Sequence, residues 1–280
     1  MNKDFTAFII VAFIIALGFL IWQNNNLKTT YITYENDKLS VDFEGFSIVQ
    51  ISDLHSKKFG KNHKNIIAQI KRAKPNIILI TGDLIDRRRY DLETSIEFIK
   101  LAIEIAPIYY VAGNHEAWSH KYADIKAKLL SNGVFVLDNE KKEIKINDSK
   151  IEIIGLKDPA FDTIEGSKQI NLEVFKENLA NLTMGSSFKI LLSHRPEIFD
   201  LYHKAKVDLI FSGHAHGGQV RLPIIGGLFS PNQGFLPKYT SGKHKIENST
   251  LIVSRGLGNS LIPLRIFNNP ELIHLKFNTK

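Results

Sequence analysis

The 280-residue sequence predicts an α/β protein built on a sheet that is buried on both faces. Two observations carry this prediction. Short continuous apolar runs, rich in Ile and Val, alternate along the chain with longer segments of helical periodicity. The hydrophobic share of 44% is enough for the core of one large domain or two small ones. We see no internal repeat and no low-complexity tract.

The apolar runs give five predicted strands, separated by four predicted helices. The strands cover residues 46–52, 76–81, 107–112, 188–193 and 208–212. The helices lie near residues 62–73, 92–104, 119–131 and 171–181. Residues 142–156 alternate around an Asn-Asp-Ser turn and predict a hairpin. The runs 250–257 and 271–277 predict later strands of more antiparallel character.

The N-terminus differs from that of an ordinary soluble domain. Residues 5–22 (FTAFIIVAFIIALGFLIW) carry no charge, and a membrane-spanning helix needs about 17–25 such residues. We therefore expect residues 1–27 to be an uncleaved membrane anchor, residues 28–44 a linker, and residues 45–280 the folded domain. A cleaved signal peptide, whose apolar region is usually about 7–15 residues long, is the alternative.

The charges beside the apolar segment do not set its orientation. Lys3 is offset by Asp4 on one side, and Lys28 follows closely on the other. A large domain behind a single N-terminal anchor most often lies outside the cytoplasm. We therefore expect a single-pass protein of the cell membrane with an extracytoplasmic domain.

The composition limits the partners and the chemistry. Because the chain contains no cysteine, disulfides and thiolate metal sites are excluded, and a metal would be bound by His, Asp, Glu or Asn. The net charge of +7 and the pI of about 9.3 favour an anionic partner without identifying it. The basic residues do not interleave with aromatic ones as in a nucleic-acid groove, so we expect no nucleic acid. No obligate protein partner is evident.

Five predicted strands run directly into short polar clusters. The clusters are ISDLHS (51–56), TGDLID (81–86), AGNHE (112–116), SHRPE (193–197) and SGHAHGG (212–218). Ligand sites in α/β sheets form just beyond the carboxyl ends of strands, so the clusters should converge. The polar set exceeds the needs of one metal ion and suits two ions about 3.5–4 Å apart that share a carboxylate. Its members are Asp53, His55, Asp83, Asn114, His115, His194, His214 and His216.

Each cluster taken alone has an ordinary structural explanation. A DLH triplet occurs by chance, Asn114 and His115 could form a turn, and His194 could cap a helix. The joint pattern favours a metal site, because every cluster follows an apolar strand and half of the ten histidines fall within the clusters. The other five are predicted to be surface or packing residues: His63, His120, His203, His244 and His274.

Five motifs follow one another along the chain: DxH, GDxxD, GNH(D/E), an isolated His and GHxH. Over about residues 46–220 this succession resembles that of the calcineurin-like metallophosphoesterases. GHAHGGQVRLP and the tail SRGLGNSLIPLRIFNNPELIHLKF resemble a membrane-anchored or exported bacterial subgroup, the YkuE-like and YaeI-like phosphodiesterases. The resemblance implies an α/β fold of four layers, an α/β/β/α sandwich, preceded by one transmembrane helix.

The resemblance also implies a role for each polar residue. It gives one ion the ligands Asp53, His55, Asp83 and His216. It gives the second ion the ligands Asp83, Asn114, His194 and His214, with Asp83 as the bridge. His115 would face the substrate and protonate the leaving oxygen, while Asp86 and Glu116 would orient the ligands. Two divalent ions are therefore expected, chosen among Mn, Zn, Fe and Mg, with Mn favoured.

Basic residues near the ligand loops are candidates for binding a substrate phosphate. They are Lys57, Arg87, Arg195 and Arg221. Residues 221–237 are apolar and rich in Gly and Pro. This segment is either a loop packed over the sheet or a lip that touches membrane or a lipid tail.

The expected function is a membrane-tethered phosphodiesterase or pyrophosphohydrolase that acts on a lipid-linked or envelope phosphate. The expected partners are therefore a phosphate-ester substrate and, through residues 5–22, the membrane. Two alternatives stay open. One is a phosphomonoesterase on the same fold, and the other is a non-catalytic scaffold, which should lack some of the ligands.

Overall fold

The computed structural model describes residues 3–163, 171–259 and 263–279. Its strands are β1 (Lys28–Tyr34), β2 (Ser47–Ile51), β3 (Ile77–Thr81), β4 (Ile108–Val111), β5 (Phe135–Val136), β6 (Glu140–Ile146), β7 (Ser149–Leu156), β8 (Phe188–Ser193), β9 (Leu209–Ser212), β10 (Arg221–Leu222), β11 (Gly226–Gly227), β12 (Phe229–Ser230), β13 (Gly234–Phe235), β14 (Gly242–Ile246), β15 (Ser249–Val253) and β16 (Glu271–Phe277). Its α-helices are α1 (Lys3–Asn25), α2 (Lys64–Ala73), α3 (Leu92–Ile103), α4 (Asn114–Trp118), α5 (Tyr122–Ser131), α6 (Leu172–Leu182) and α7 (Phe199–Lys204).

Two six-stranded sheets lie at the centre of the part of the chain that the structure describes. The first has the order β1-β16-β2-β3-β4-β5 and the second the order β14-β15-β9-β8-β7-β6. Strands β2 to β5 are parallel, and so are β7, β8, β9 and β15. The carboxyl ends of the parallel strands in each sheet therefore share one edge.

Apolar side chains join the sheets and helices into four layers. Leu79 and Phe211 belong to the core between the two sheets. On the outer face of the first sheet, Ile70 of α2 and Ile99 of α3 are buried with the strand residues. Phe175 of α6 is buried in the same way against the second sheet. The predicted α/β/β/α sandwich is confirmed.

The predicted strands and helices agree closely with the observed ones because the parallel strands are buried on both faces. Every residue of β2, β3, β8 and β9 is buried, so each strand is read as a continuous apolar run. The predicted hairpin at 142–156 is β6–β7, with Ile146 opposite Ser149 across the turn. Of the late segments, β15 and β16 each pair with one parallel and one antiparallel neighbour. Residues 260–262 of the tail motif lie outside the described residues.

The start of the predicted linker, residues 28–34, is instead the edge strand β1. All seven of its residues pair in parallel with β16, from Lys28 opposite Glu271 to Tyr34 opposite Phe277. An edge strand of the sheet is partly exposed, so its sequence KTTYITY is more polar than that of a central strand. Its Thr, Ile and Tyr residues nevertheless favour extended backbone. The sheet thus begins before the predicted boundary at residue 45.

Helix α1 precedes β1 directly and is the most apolar segment of the described chain. The most apolar stretch of its 23 residues has a mean hydropathy of 2.7, and no residue of that stretch is buried. By length and composition the helix can cross a membrane, or it can belong to a signal sequence. Because β16 is antiparallel to β2 and parallel to β1, β1 begins at the edge where β2 ends. Helix α1 therefore joins the sandwich at the edge that carries the polar clusters.

Candidate metal centre

The five polar clusters meet at the shared carboxyl edge of the two sheets. The eight residues predicted to converge there are each at most 6% exposed. Backbone and side-chain hydrogen bonds join one loop to the next. The N–H of Asp53 donates to the carbonyl of Gly82 (3.0 Å), and the N–H of His214 donates to the Asp53 carboxylate (3.2 Å). The cluster is therefore built from both sheets.

One group of donor atoms comprises Asp53, His55, Asp83 and His216. One ligand atom from each lies within 4.8 Å of the others. Nε2 of His216 is 3.2 Å from Nε2 of His55 and 3.3 Å from Oδ1 of Asp53. Such a compact set of nitrogen and carboxylate donors fits a divalent cation.

A second group comprises Asp83, His194 and His214, so Asp83 belongs to both groups. Nε2 of His194 lies 3.3 Å from Oδ2 of Asp83 and 3.2 Å from Nδ1 of His214. Asn114 borders the same cavity as Asp83, and its buried Oδ1 has no hydrogen-bond partner among the described residues. Because buried polar atoms are nearly always partnered, this oxygen fits a fourth donor to a cation.

Backbone carbonyls fix the proton positions of two of these histidines. Nδ1 of His194 lies 2.7 Å from the carbonyl oxygen of Thr81, and Nδ1 of His55 lies 3.3 Å from that of Ile85. A carbonyl oxygen can only accept a hydrogen bond, so each Nδ1 carries a hydrogen. The lone pair of the neutral ring is therefore on Nε2, the nitrogen that faces the carboxylates.

His214 is held through its other ring nitrogen, Nε2, by a residue that lies outside the sequence motifs. Its Nε2 lies 3.0 Å from Oδ1 of Asn232, which leaves Nδ1 directed at His194. Asn232 lies in the turn between β12 and β13, within the apolar segment 221–237. No spacing rule in the sequence connects this Asn to the GHAHGG motif.

The loops hold their ligands in an uncommon backbone conformation. Five of the seven predicted ligands have positive φ: Asp53 (51°), His55 (49°), Asp83 (52°), His214 (63°) and His216 (46°). Each such non-glycine residue costs about 1–3 kcal/mol, and it persists only where surrounding structure enforces it. This strain is concentrated where the candidate ligands lie, which is typical of a functional site.

Two glycines of the motifs are required by close approach. A Cβ on Gly113 would lie 2.3 Å from Oδ1 of Asp83. A Cβ on Gly213 would lie 1.9 Å from Oγ of Ser52 and 2.3 Å from Oδ2 of Asp53. Any larger residue at either position would displace a carboxylate of the centre.

Glu116 links two of the ligand loops through hydrogen bonds. Its Oε2 accepts hydrogen bonds from the N–H groups of Asp83 (2.9 Å) and Gly113 (2.7 Å), and Oε1 accepts one from Ile85 (3.2 Å). The side chain is fully buried at the start of the short helix α4. Glu116 thus positions Asp83, in agreement with the orienting role expected for it.

A third Asp/His group, formed by His55, Asp86 and His115, is better explained as a support for His115. The Asp86 carboxylate already accepts bonds from the N–H of Arg88 (2.9 Å) and the guanidinium of Arg89 (2.8 Å). Oδ1 of Asp86 also lies 3.5 Å from Nδ1 of His115. The Asp86 carboxylate therefore favours a positive charge on the imidazole that borders the cavity.

The electrostatics leave most of the imidazoles neutral. Burial lowers the pKa of His55 to about 3 and holds the pKa values of His214 and His216 well below the usual range. Neutral rings keep the lone pair that a metal ion needs. His194 differs, because the Asp83 carboxylate outweighs the effect of burial and raises the pKa of His194 to about 10.

Two of the residues predicted to bind a substrate phosphate are engaged in contacts with other parts of the protein. Arg195 is 3% exposed and forms a two-pronged ion pair with Asp158 (2.9 and 3.0 Å). Arg221 donates to the carbonyl of Gly217 (2.9 Å) and to the hydroxyl of Thr240 (3.2 Å). Both side chains stabilise loops. Proximity in sequence to a ligand did not place either guanidinium toward the cavity.

The other two candidates, Lys57 and Arg87, differ in the groups that they contact. The ammonium group of Lys57 donates to the carbonyl of Asn24, at the end of α1, and Lys57 is absent from the described lining of the cavity. Arg87 is exposed and borders the cavity, where its guanidinium lies 4.7 Å from the ring centre of Trp118. Arg87 thus stays a candidate for binding a substrate phosphate.

The candidate metal centre opens into a cavity of about 300 Å³. Its lining combines polar and apolar groups, among them Asp83, Asn114, His115, Trp118, Phe229 and Pro231. A larger cavity of about 820 Å³ lies at a different place, beside Lys38, Asp208 and Lys243. We assign the chemistry to the smaller cavity because it contains the Asp and His donors.

Buried Asp and His donors from two packed sheets are typical of proteins that bind divalent metal ions. The family described as calcineurin-like phosphoesterase matches residues 46–218. The chain belongs to this family, as its motifs indicated, and is a metal-dependent phosphoric ester hydrolase. The family depends on two divalent metal ions, and the Asp/His cluster of this chain fits that dependence.

Two relatives and one solved structure illustrate the similarity. The chain is 31% identical over 253 residues to the uncharacterized metallophosphoesterase YkuE of Bacillus subtilis, covering 88% of this chain and 84% of YkuE. It is 28% identical over 239 residues to the phosphodiesterase YaeI of Escherichia coli, covering 82% of each chain. The crystal structure of TT1561 of Thermus thermophilus superposes with a TM-score of 0.51 at 13% identity. That superposition covers 76% of this chain and 90% of TT1561, and it bears on the fold alone.

The shared position of Asp83 generates the first prediction. Replacing Asp83 by Ala removes a donor from both groups, so both divalent ions should be lost. Metal content after gel filtration, measured by mass spectrometry, checks this. Asp200→Ala, which removes an exposed carboxylate on α7, is the matched control and should retain both ions. Two bound ions in Asp83→Ala would show that the carboxylate is not shared.

The contact between Asn232 and His214 generates the second prediction. Asn232→Ala should weaken the affinity for metal by about 10–100-fold, because the imidazole loses the acceptor that fixes its tautomer. Asn232→Asp keeps an accepting oxygen and should bind normally, as should the turn variant Asn248→Ala. Titration calorimetry with Mn²⁺ measures all three. Equal affinities throughout would mean that His214 is held without Asn232.

The raised pKa of His194 generates the third prediction. Below pH 10 the free ring is protonated, yet a ligand must be neutral, so metal binding at the second donor group should release about one proton. Affinity should consequently rise with pH, by up to about tenfold per unit. Calorimetry in two buffers of different ionisation enthalpy measures the release. Identical heats in both would show that His194 is already neutral.

Proposed function

We propose that this chain is a membrane-tethered phosphodiesterase that uses two divalent ions, with Mn²⁺ favoured, to cleave a lipid-linked or envelope phosphate ester. A pyrophosphate bond is within the same proposal, since it is also a phosphoryl group with two substituents. The observation that carries it is the pair of Asp/His donor groups that share Asp83 beside a cavity. We also propose that the domain lies on the extracytoplasmic side of the membrane.

The assignment of ligands follows the two donor groups. One ion would be bound by Asp53, His55, Asp83 and His216, and the other by Asp83, Asn114, His194 and His214. Two ions so placed would neutralise the charge that develops on the phosphoryl oxygens. The neutral rings and the fixed tautomers support this assignment, because they aim lone pairs at one region.

His115 is the proposed catalytic acid. Its Nδ1 lies 3.2 Å from the N–H of Arg87 and 3.5 Å from Oδ1 of Asp86, so the neutral ring carries its hydrogen on Nε2. Burial opposes protonation, but Asp83 and Asp86 outweigh it and raise the pKa of His115. The raised pKa favours the protonated ring, whose Nε2 can give a proton to a leaving oxygen and return to neutral imidazole.

The cavity lining supports a substrate with an organic group on the phosphate. Arg87 supplies a positive charge at the rim, while Trp118, Phe229 and Pro231 supply apolar surface. A relative, YaeI, is named a phosphodiesterase. Helix α1, with its mean hydropathy of 2.7, supports a membrane tether and hence a substrate held in or near the membrane.

The test uses the full chain in detergent, stripped of metal and reloaded with Mn²⁺. Hydrolysis of bis-p-nitrophenyl phosphate should exceed that of p-nitrophenyl phosphate. His115→Ala should keep both ions and lose about 10²–10⁴-fold in diester turnover. His120→Ala, which replaces an exposed His of the same helical region, should behave as the parent does.

The remaining outcomes identify the alternatives. Faster cleavage of the monoester would make the protein a phosphomonoesterase. Full activity in His115→Ala would remove the acid role from this residue. Two bound ions without turnover of either ester would favour a scaffold or a site selective for pyrophosphates.

A further inference from the structure

We infer that the edge of the sandwich carrying the metal centre faces the lipid bilayer through a continuous apolar rim, and that this rim delivers lipid headgroups to the cavity. The inference rests on the proposed membrane tether. The rim comprises six side chains from two segments, residues 224–236 and 264–267: Ile224, Ile225, Phe235, Leu236, Leu264 and Phe267.

The rim brings several largely exposed apolar side chains into two neighbouring segments. Ile224 is completely exposed, and Phe235 (84%), Leu236 (67%) and Ile225 (60%) are exposed for most of their area. Scattered exposed apolar residues need no explanation, but a contiguous group of this size marks an interaction surface. The rim therefore calls for an apolar partner.

A backbone hydrogen bond beside the first segment brings the two segments of the rim near each other. The N–H of Arg221 donates to the carbonyl of Ile266 (3.0 Å), next to Phe267. Within the first segment, the rings of Phe229 and Phe235 are 5.5 Å apart. Because Phe229 also borders the cavity, the rim reaches the entrance of the metal centre.

Helix α1 ends against the same surface. Nδ2 of Asn259 donates to Oδ1 of Asn24 (3.0 Å), and Nδ2 of Asn269 donates to the carbonyl of Gln23 (3.3 Å). The ring of Phe19, within α1, lies 5.7 Å from that of Phe267. The apolar surface of the helix thus continues into the rim without a break.

The sheet topology determines which edge of the sheet adjoins helix α1. Lys28 begins β1 three residues after α1 ends, at the sheet edge where β2, β3 and β4 end. A helix that crosses the bilayer and is fixed at that edge must hold the same edge at the membrane surface. Residues at the opposite edge, such as Val41 before the start of β2, would face away from the bilayer.

The bilayer is the partner that these observations favour. Helix α1 has 23 residues, and no residue of its most apolar stretch is buried. The helix adjoins the rim, so lipid would cover both surfaces at once. A second copy of the chain could cover the rim but would leave α1 exposed. With the rim about 5–10 Å into the headgroup region, a lipid phosphate and the cavity would lie at similar depth.

The test uses the absence of cysteine from the sequence. Phe235→Cys and Ile225→Cys are made singly in the full chain, labelled with an environment-sensitive fluorophore and reconstituted into vesicles of phosphatidylethanolamine and phosphatidylglycerol. Val41→Cys is the matched control, since Val41 is apolar and 72% exposed. Lipids carrying a nitroxide should quench the two rim labels at least about threefold more strongly than the control label, as expected for side chains at acyl-chain depth.

Equal quenching at all three positions would overturn the inference. The inference would also be overturned if a rim label were shielded from water in both detergent and vesicles and were not quenched by the nitroxide lipids. That result would show that a second copy of the chain covers the rim.

Two further measurements on the same samples separate this inference from the proposed function. Flotation of the vesicles reports the tether, and hydrolysis of bis-p-nitrophenyl phosphate reports the catalysis. A chain that floats and is active, but whose rim labels are not quenched, refutes the rim alone. A chain that does not float refutes the tether and the rim together, whatever its activity. Quenched rim labels in a chain that does not cleave the diester would support the rim and count against phosphodiesterase activity, leaving a pyrophosphate-selective site or a scaffold.

Discussion

The metal-binding edge depends on the placement of one buried carboxylate, that of Asp83. Its N–H is held by Glu116, its Oδ1 accepts from the N–H of His115 (2.8 Å), and its Oδ2 lies 3.3 Å from Nε2 of His194. Loops from β3, β4 and β8 therefore take their relative positions from this single side chain. The left-handed backbone at Asp83 is tolerated because these contacts fix it from several sides.

Burying this many acidic groups costs free energy unless positive charge is close by. Burial raises the pKa of Asp53 to about 6 and that of Glu116 to about 7, so both carboxyls resist ionisation in the protein alone. Divalent ions would offset that cost by bringing positive charge into the site. The centre and the ions would thereby be coupled, since Asp53, a proposed ligand, is harder to ionise without that positive charge.

The sequence alone predicted the features that depend on local pattern. Strand β8 was predicted at its observed bounds because it is buried on both faces, and the eight polar residues converge because parallel strands end at one edge. Features set by distant partners were not predictable. The role of Asn232 depends on a contact with His214, and the placement of Arg195 depends on its ion pair with Asp158, thirty-seven residues earlier. Strand β1 was missed because its polar sequence reflects an edge position.

The segment after the last ligands links the cavity of the metal centre to the proposed rim. Phe229 and Phe235 lie on the paired strands β12 and β13, and the turn between these strands carries Asn232. The same short unit thus supplies an apolar ring at the cavity, an exposed ring of the rim and the acceptor that orients His214. Any shift of this unit would change the metal ligand and the cavity entrance together. In the proposed orientation, contact of the rim with lipid would therefore be coupled to the geometry of the metal centre.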